Sequence, residues 1–344
     1  MKVGLIGPCG AGKTTIFNML TGLSAQVGGF GTKEEVHLGV IKVPDARIDR
    51  LSQIFKPKKT TYAEIRFTDF RPSQGEDNLK SNNAVVSQMR EVDAIALVLG
   101  NFDADAEPLK DLNNLLTEMI LADLAIVENR RSRLKKEKAR PLEENLLERA
   151  ATALENEESL RNLTFTPDEE TLLAGFGFLS RKPLLVLLNQ SEEKAAQTSD
   201  SNYLKELKRR GLDGLALAAK AEMEIAQLDE ADRAAFLKEI GIEEPARDRF
   251  IRASYRLLDL ISFFTAGDDE VRAWTITQGT VARKAAGKIH SDIERGFIRA
   301  EVIAYEDFIA LGSEARCKEA GKLRLEGKDY VLKDGDIAHF RFAV

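Results

Sequence analysis

Short apolar runs bounded by turn residues alternate with helical patterns in the N-terminal part of the chain. An amphipathic helix is predicted over residues 15–20, directly after the first run, and Gly22 is expected to end it. Alternation of this kind is typical of an α/β sheet. Strands are predicted at residues 2–7, 36–43, 63–69 and 94–100.

The pattern of apolar positions changes after the last of these runs. Apolar residues recur at helical spacing in a highly charged background over residues 109–127 and again over residues 142–154. Pro141 separates the two stretches, because proline is poorly tolerated inside a helix. We therefore predict an antiparallel helical hairpin inserted into the α/β domain.

Beyond the hairpin, buried strands are predicted at residues 183–188 and 214–218, followed by a charged helical region to about residue 261. Short strands between turn signals follow, at residues 271–277, 297–303, 329–332 and 339–344. These strands indicate a separate α+β domain. The predicted parts are an α/β domain of residues 1–104 and 165–262, a hairpin of residues 105–164, and a C-terminal domain of residues 263–344.

The composition is that of an ordinary globular protein, with 43% hydrophobic and 31% charged residues among 344. The net charge of −6 excludes a general polyanion binder, so any nucleic-acid contact must come from local basic patches. No apolar run is long enough to span a bilayer, and the N-terminus lacks the pattern of a signal peptide. We expect a cytoplasmic protein without a membrane or DNA partner.

The turn after the first predicted strand has the sequence of a phosphate-binding P-loop, Gly7-Pro8-Cys9-Gly10-Ala11-Gly12-Lys13-Thr14. Its glycines let backbone N–H groups surround a phosphate at a helix N-terminus. Lys13 is expected to reach the β- and γ-phosphates and stabilise their charge, and the Thr14 hydroxyl is expected to bind Mg²⁺. The predicted nucleotide contacts are Gly7, Cys9, Gly10, Ala11, Gly12, Lys13, Thr14 and Thr15.

Two later residues fit the remaining metal positions of a GTPase-like site. Thr32 stands in a glycine-rich loop and is expected to contact Mg²⁺ and the γ-phosphate, although an ordinary loop residue is the alternative. Asp69 ends a predicted strand and completes the expected metal set. The usual Asp-x-x-Gly is altered, however, because Pro72 has no N–H for the γ-phosphate. Ser73 stands where a glutamine would position water, and Gln74 comes one residue late.

Base recognition is expected after the strand at residues 183–188. The usual Asn-Lys-x-Asp becomes Asn189-Gln190-Ser191-Glu192, in which Asn189 keeps its role of tying neighbouring loops together. Glu192 is one methylene longer than aspartate, which weakens the case for guanine selectivity, and Gln190 removes the lysine stem that would stack on the base. Asn189, Gln190 and Glu192 are predicted nucleotide contacts, and Ala219 is predicted to contact the base through a backbone N–H. The bound nucleotide is thus ATP or GTP.

With this P-loop and Asn-x-x-Glu motif, the chain resembles the YchF/Obg-like ATPase family, within the Obg-related branch of translation-factor GTPases. The resemblance covers nearly the whole chain and is strongest in the C-terminal part, which is similar to the family's TGS domain, a ubiquitin-like β-grasp module. It implies that the Asn-x-x-Glu motif accompanies use of ATP as well as, or in preference to, GTP. The most specific segments are residues 263–267, 270–275, 284–290, 295–302 and 334–336.

The chain also departs from the family pattern. Family members normally retain Asp-x-x-Gly and commonly have a histidine, implicated in hydrolysis, in the loop after the strand that ends near Gly100. Residues 101–111 contain no histidine. The chain is therefore interpreted as a divergent paralogue in which nucleotide binding is intact and hydrolysis is slow or lost.

A run of basic residues occupies the predicted hairpin tip. A solvated helix end is one explanation, and contact with ribosomal RNA phosphates is the other. The resemblance favours a nucleotide-dependent factor associated with the ribosome, with a further protein partner at the TGS domain. The alternative is a non-hydrolysing, nucleotide-gated RNA- or protein-binding adaptor. The run comprises Arg130, Arg131, Arg133, Lys135, Lys136, Lys138 and Arg140.

Overall fold

The computed structural model describes residues 1–23, 37–70, 83–102, 105–137, 140–195 and 202–343. The chain divides into two compact units. The first unit consists of Met1–Val40 and Arg66–Ala253, and the second unit consists of Ile41–Ile65 and Ser254–Val344.

The elements of the described residues are as follows. The strands are β1 (Lys2–Ile6), β2 (His37–Lys42), β3 (Lys59–Thr61), β4 (Glu64–Asp69), β5 (Ala94–Asn101), β6 (Leu184–Gln190), β7 (Asp213–Leu217), β8 (Leu260–Ala266), β9 (Glu270–Thr277), β10 (Phe297–Ala304), β11 (Arg324–Glu326) and β12 (Asp336–Phe342). The helices are α1 (Lys13–Thr21), α2 (Ala46–Phe55), α3 (Asn83–Met89), α4 (Pro108–Leu134), α5 (Pro141–Glu155), α6 (Pro167–Ala174), α7 (Asn202–Arg209), α8 (Ala219–Ile225), α9 (Glu230–Glu239), α10 (Ala246–Leu257), α11 (Ala282–Ile289), α12 (Ser291–Arg295), α13 (Tyr305–Leu311) and α14 (Glu314–Glu319). Short 3₁₀ helices lie at Leu160–Asn162 and Glu192–Lys194.

The first unit contains a sheet with strand order β2-β4-β1-β5-β6-β7. β1 pairs in parallel with β4 and β5, and the parallel pairing continues through β6 to β7. The central strands are apolar on both faces, as expected for parallel strands that are covered by helices. The carboxyl ends of these strands therefore lie along one edge, where α/β proteins bind their ligands. The α/β prediction for this part is confirmed.

The predicted helical hairpin is present as α4 and α5. The two helices share one apolar core, which includes Val127 and Leu134 from α4 and Leu146 and Ala150 from α5. Pro141 is the first residue of α5, a position that tolerates proline because the first helical N–H has no intrahelical partner. The prediction that Pro141 separates two helices is confirmed.

The second unit contains a mixed sheet with strand order β11-β10-β12-β8-β9-β3. Three alanines on one face of α11 enter its core, where the ring of Phe263 meets Phe340 edge-on with centroids 5.9 Å apart. The pairs β11–β10, β10–β12 and β8–β9 are antiparallel, whereas β12–β8 and β9–β3 are parallel. A helix on one face of such a sheet fits the predicted β-grasp domain.

The division into units differs from the predicted domain limits in residues 41–65. The sequence placed this segment in the α/β domain, but its strand β3 pairs in parallel with β9, and Arg47 forms an ion pair with Asp334 at 2.7 Å. A three-residue strand whose partner lies far along the chain has no local signature. The limits of the hairpin and of the C-terminal domain stay predictions.

Two predictions for the region beyond residue 218 are wrong. The charged helical region consists of three helices and ends at Leu257, because residues from Leu260 form β8, the strand between β12 and β9. The strand predicted at residues 329–332 is a single bridge between Val331 and Val281, and β11 forms earlier instead. Apolar runs that fit either a helix or a strand are decided by their neighbours.

No helix in the described part of the chain combines the length and apolar character that membrane crossing requires.

Asp123 connects the hairpin helix α4 to the segment that leads into β6. Its carboxylate is fully buried in α4 and accepts the backbone N–H groups of Leu179 and Ser180 at 3.0 and 2.7 Å. It also accepts a hydrogen bond from Arg90 at 3.0 Å. Removal of this carboxylate would leave a largely buried guanidinium and two backbone donors without their acceptor.

We therefore expect Asp123→Ala to lower the free energy of unfolding by about 3–5 kcal/mol, as for other broken buried ion pairs. Glu128→Ala is the matched control, since Glu128 is exposed on the same helix and its loss should cost less than about 0.5 kcal/mol. Urea denaturation followed by circular dichroism measures both. Equal midpoints for the two variants would contradict this assignment.

Candidate nucleotide-binding site

The P-loop connects β1 to α1 and approaches its neighbours too closely for side chains at two positions. A methyl group on Gly7 would lie 2.1 Å from the carbonyl oxygen of Val98 in β5. At Gly12, where φ is +86°, it would lie 2.2 Å from Nδ2 of Asn189. The motif glycines are therefore required by packing and by backbone conformation.

Lys13 begins α1 and lies almost entirely within the loop. Its ammonium donates to the carbonyl oxygens of Gly7 and Pro8 at 2.9 and 2.8 Å. The loop thus holds the cation next to its own concave backbone. Cys9 and Gly10 are exposed at the tip of the loop, and Ala11 is buried beneath it.

The predicted metal-binding side chains Thr14 and Asp69 meet in the structure. The Thr14 hydroxyl donates to Oδ2 of Asp69 at 3.1 Å, and the aspartate is fully buried at the carboxyl end of β4. Mg²⁺ prefers such oxygen ligands and commonly uses one protein carboxylate together with substrate phosphates, so this pair fits the ion. The described residues contain no group of three or more acidic, histidine or cysteine side chains able to hold a metal. Thr32, Pro72, Ser73 and Gln74 lie outside the described residues.

His37 is a neighbour of the metal pair that the sequence did not identify. Its Nδ1 lies 3.7 Å from Oδ2 of Asp69, and its ring packs at a tilt against Phe17, with centroids 6.0 Å apart. The family resemblance predicts a histidine in the loop after β5, not in β2. The position at the start of β2, the strand beside β4, explains why His37 arrives at Asp69 instead.

Asn189 connects the loops at the base end of the site. Its Nδ2 donates to the carbonyl oxygen of Ala11 at 3.1 Å, and its Oδ1 accepts the N–H of Ala219 at 3.2 Å. The predicted loop-tying role of Asn189 matches this geometry. The Ala219 N–H takes part in this connection, and a contact of Ala219 with a nucleotide stays a prediction.

The other two residues of the base motif lie differently. The Gln190 side chain is buried and donates through Nε2 to the carbonyl oxygen of Lys194 at 2.5 Å. Glu192 is exposed in the 3₁₀ helix that follows β6. Gln190 therefore shapes the loop from within, whereas the Glu192 carboxylate is open to a ligand.

Phe102 is a second residue that the sequence did not single out. Its ring is 40% exposed, and Cζ lies 3.6 Å from the position that a methyl group on Gly12 would occupy. The ring thus lies over the P-loop on the side of Asn189, where the motif places the base. An aromatic residue directly after a central strand of a parallel sheet is the signal that could have indicated it.

Comparison with known proteins shows the family of this chain. A family model described as YchF-GTPase_C, a protein of unknown function (DUF933), matches residues 260–343. The chain is 38% identical over 367 residues to a protein named Ribosome-binding ATPase YchF from Bacillus subtilis (strain 168), with all of both chains covered. A relative of the same name from Pasteurella multocida (strain Pm70) is 40% identical over 364 residues, which cover all of this chain and 99% of the relative. The chain belongs to the YchF family.

A solved YchF structure extends the likeness to three dimensions. The structure of the Schizosaccharomyces pombe YchF GTPase superposes with a TM-score of 0.84 at 29% identity, covering 99% of this chain and 97% of that one. These findings confirm the predicted family and fold class, a P-loop domain with an inserted hairpin and a C-terminal α+β domain. This member of the YchF family therefore has an altered Asp-x-x-Gly, with Pro72 at the glycine position.

We expect Asn189→Ala to weaken nucleotide binding about 10- to 100-fold, because two hydrogen bonds of about 1 kcal/mol each hold the P-loop and the β7–α8 connection together. Calorimetric titration with Mg²⁺ and ATP or GTP measures the loss. Asn114→Ala is the control, since Asn114 is exposed on α4. Unchanged affinity in Asn189→Ala would show that the loop connection does not support binding.

Proposed function

We propose that this protein binds ATP or GTP together with Mg²⁺, hydrolyses the nucleotide slowly, and associates with the ribosome in a nucleotide-dependent way. The observation that supports the proposal best is the convergence of Lys13, Thr14 and Asp69 around one P-loop, with Asn189 securing its base end. The names of the bacterial relatives, ribosome-binding ATPases, point in the same direction.

The reaction proposed is attack of water on the γ-phosphate with the nucleoside diphosphate as leaving group. The backbone N–H groups of the P-loop and the N-terminus of α1 would hold the phosphates in place. Lys13, already next to the loop, would compensate the charge that develops on the phosphate oxygens. Bound Mg²⁺, held by Thr14 and, through water, by Asp69, would supply further charge neutralisation.

Slow turnover is proposed because the residues that orient the attacking water in related enzymes are altered. Pro72 replaces the glycine whose N–H would contact the γ-phosphate, and Ser73 stands at the position of the water-orienting glutamine. Neither change affects the phosphate-binding loop. Binding is thus expected to be ordinary and hydrolysis to be poor.

Lys13→Ala should lower the rate of single-turnover hydrolysis at least about 100-fold, since one cation that stabilises developing charge commonly contributes that much. Quenched-flow measurement with radiolabelled ATP and GTP gives the rate. Lys205→Ala serves as the control, because Lys205 is exposed on α7. Equal rates for wild type and Lys13→Ala would remove the enzyme function.

Such a result, combined with intact nucleotide binding, would favour the second candidate function. In that case the protein is a nucleotide-gated adaptor without useful turnover. The observation that favours this candidate is Pro72 itself. Calorimetry in parallel with kinetics separates the two functions.

The hairpin tip is proposed as the ribosome contact. Arg130 is occupied within the protein by Glu143 at 2.6 Å and by Glu137 at 3.0 Å. The hydrogen bond from Arg130 lowers the pKa of Glu143, so this link between the helices is present at neutral pH and weakens only in acid. The basic side chains exposed at the described tip are Arg133, Lys135, Lys136 and Arg140.

Replacement of Arg133, Lys135 and Lys136 by alanine should weaken co-sedimentation with ribosomes and reduce the salt slope of binding by up to about three, one for each lost phosphate contact. The matched control replaces Lys205, Lys208 and Arg209, three exposed cations on α7 of the same unit. Pelleting assays over a salt series with each nucleotide measure both. The absence of pelleting in every nucleotide state would contradict ribosome association.

We further propose that the second unit docks a protein partner, since the neighbouring strands β10 and β11 expose Ile298 and Leu325 at 59% and 61%. A ribosome-associated role would place the protein in the cytoplasm.

A further inference from the structure

A lysine that belongs to no nucleotide motif links the two loops that border the base end of the site. Lys194 lies at the end of the 3₁₀ helix after β6, and its Nζ donates to the carbonyl oxygen of Asn101 at 3.3 Å. Asn101 is the last residue of β5 and lies opposite Gln190 in the parallel register. The link thus crosses from the base-motif loop to the loop that begins with Phe102.

The backbone of Lys194 is held in place at the same time. Its carbonyl oxygen accepts the buried Gln190 amide at 2.5 Å, and its N–H donates to the carbonyl oxygen of Ser191 at 3.1 Å. The direction of the side chain is therefore set by the end of β6. A half-buried ammonium that donates to a backbone carbonyl is a stronger link than an exposed surface pair.

The residue that this link positions is Phe102. Its Cε2 lies 3.1 Å from the position of a methyl group on Gly100, and its Cζ lies over Gly12. The carbonyl that accepts the hydrogen bond from Lys194 belongs to the peptide that joins Asn101 to Phe102. The bond therefore fixes the backbone from which the ring extends, so that the ring can present one face to a ligand.

We propose that Lys194 is a positioning residue that anchors the peptide between Asn101 and Phe102 and so holds the Phe102 ring against the purine base of a bound nucleoside triphosphate. The inference rests on the proposed nucleotide-binding function. Lys194 also provides a lysine at the base end of the site, where Gln190 stands in place of the lysine of the usual Asn-Lys-x-Asp motif. The ligand class is a purine nucleotide, since a stacked aromatic ring favours a flat, extended base.

Three ligands separate this role from general damage to the site. For Lys194→Met, which keeps the length of the side chain, we expect ATP and GTP to bind about 3- to 10-fold more weakly, the worth of one hydrogen bond. Phe102→Ala should weaken both about 5- to 150-fold, the worth of a stacked base. Inorganic tripolyphosphate with Mg²⁺, which has no base, should bind all variants within about twofold of wild type, because Lys194 bonds Asn101, Gln190 and Ser191, which lie outside the P-loop.

A double-mutant cycle tests the dependence of one residue on the other. If Lys194 acts through Phe102, the double variant should bind ATP no more weakly than Phe102→Ala alone. Lys194→Arg, which keeps a donor, should bind ATP within about threefold of wild type. Lys208→Met, a change at an exposed lysine of α7, is the control. Additive losses, or an equal loss of tripolyphosphate affinity, would overturn the positioning role.

Hydrogen exchange in protein without added nucleotide provides a readout that does not depend on binding. Peptides containing Asn101 and Phe102 should exchange at least about threefold faster in Lys194→Met and at the wild-type rate in Lys194→Arg. Unchanged exchange in Lys194→Met would overturn the anchoring of the loop. Wild-type protein that binds tripolyphosphate but no nucleotide would overturn the base contact, and wild-type protein that binds neither would overturn the proposed function as well.

Discussion

The side-chain amide of Asn189 is the contact on which the geometry of the site depends. The amide group of Asn189 bonds the P-loop through Ala11 and the start of α8 through Ala219. The segments that follow β1, β6 and β7 are therefore held together. This is possible only because Gly12 has no side chain at the point where the amide passes. The connection thus requires a glycine at position 12 together with a side chain at position 189 that both donates and accepts a hydrogen bond. The loops between parallel strands would otherwise be free to adopt separate conformations.

The site has a well-connected phosphate half and an altered hydrolytic half. Lys13, Thr14 and Asp69 occupy the relationship that phosphate and metal binding require, and each is buried or half-buried. The chemical step also needs a group that orients water, and in this chain the segment after Asp69 departs from the usual Asp-x-x-Gly at Pro72. Binding and turnover rest on different segments, so one can be retained while the other declines. His37 adds an imidazole beside Asp69, with its Nδ1 3.7 Å from Oδ2 of the carboxylate.

The second unit depends on a piece of chain from the N-terminal half. Residues 41–65 supply both the edge strand β3 and Arg47, which bonds Asp334 and lies 5.1 Å over the ring of Phe264. The pair with Asp334 is partly shielded by this ring, which favours a fixed arrangement over a solvated one. The segment between β2 and β4 therefore belongs to the second unit, and Asp69, the predicted metal ligand, is the last residue of β4. Domain limits predicted from contiguous sequence patterns cannot detect a segment that belongs to another unit.

The sequence alone determined the P-loop, the strands that precede each motif, the hairpin and the family, because all of these depend on residues that are adjacent or regularly spaced. A glycine pattern specifies a loop conformation, and a 3.6-residue apolar period specifies a helix face, without reference to the rest of the chain. The tertiary structure decided which distant residues meet. Gln190 was expected beside the base, yet its amide points to Lys194 because the loop after β6 closes into a 3₁₀ turn. Phe102, His37 and Lys194 belong to the site only because β5 and β6 end, and β2 begins, at the same edge of one sheet. Strand order is set by long-range packing that no local pattern encodes.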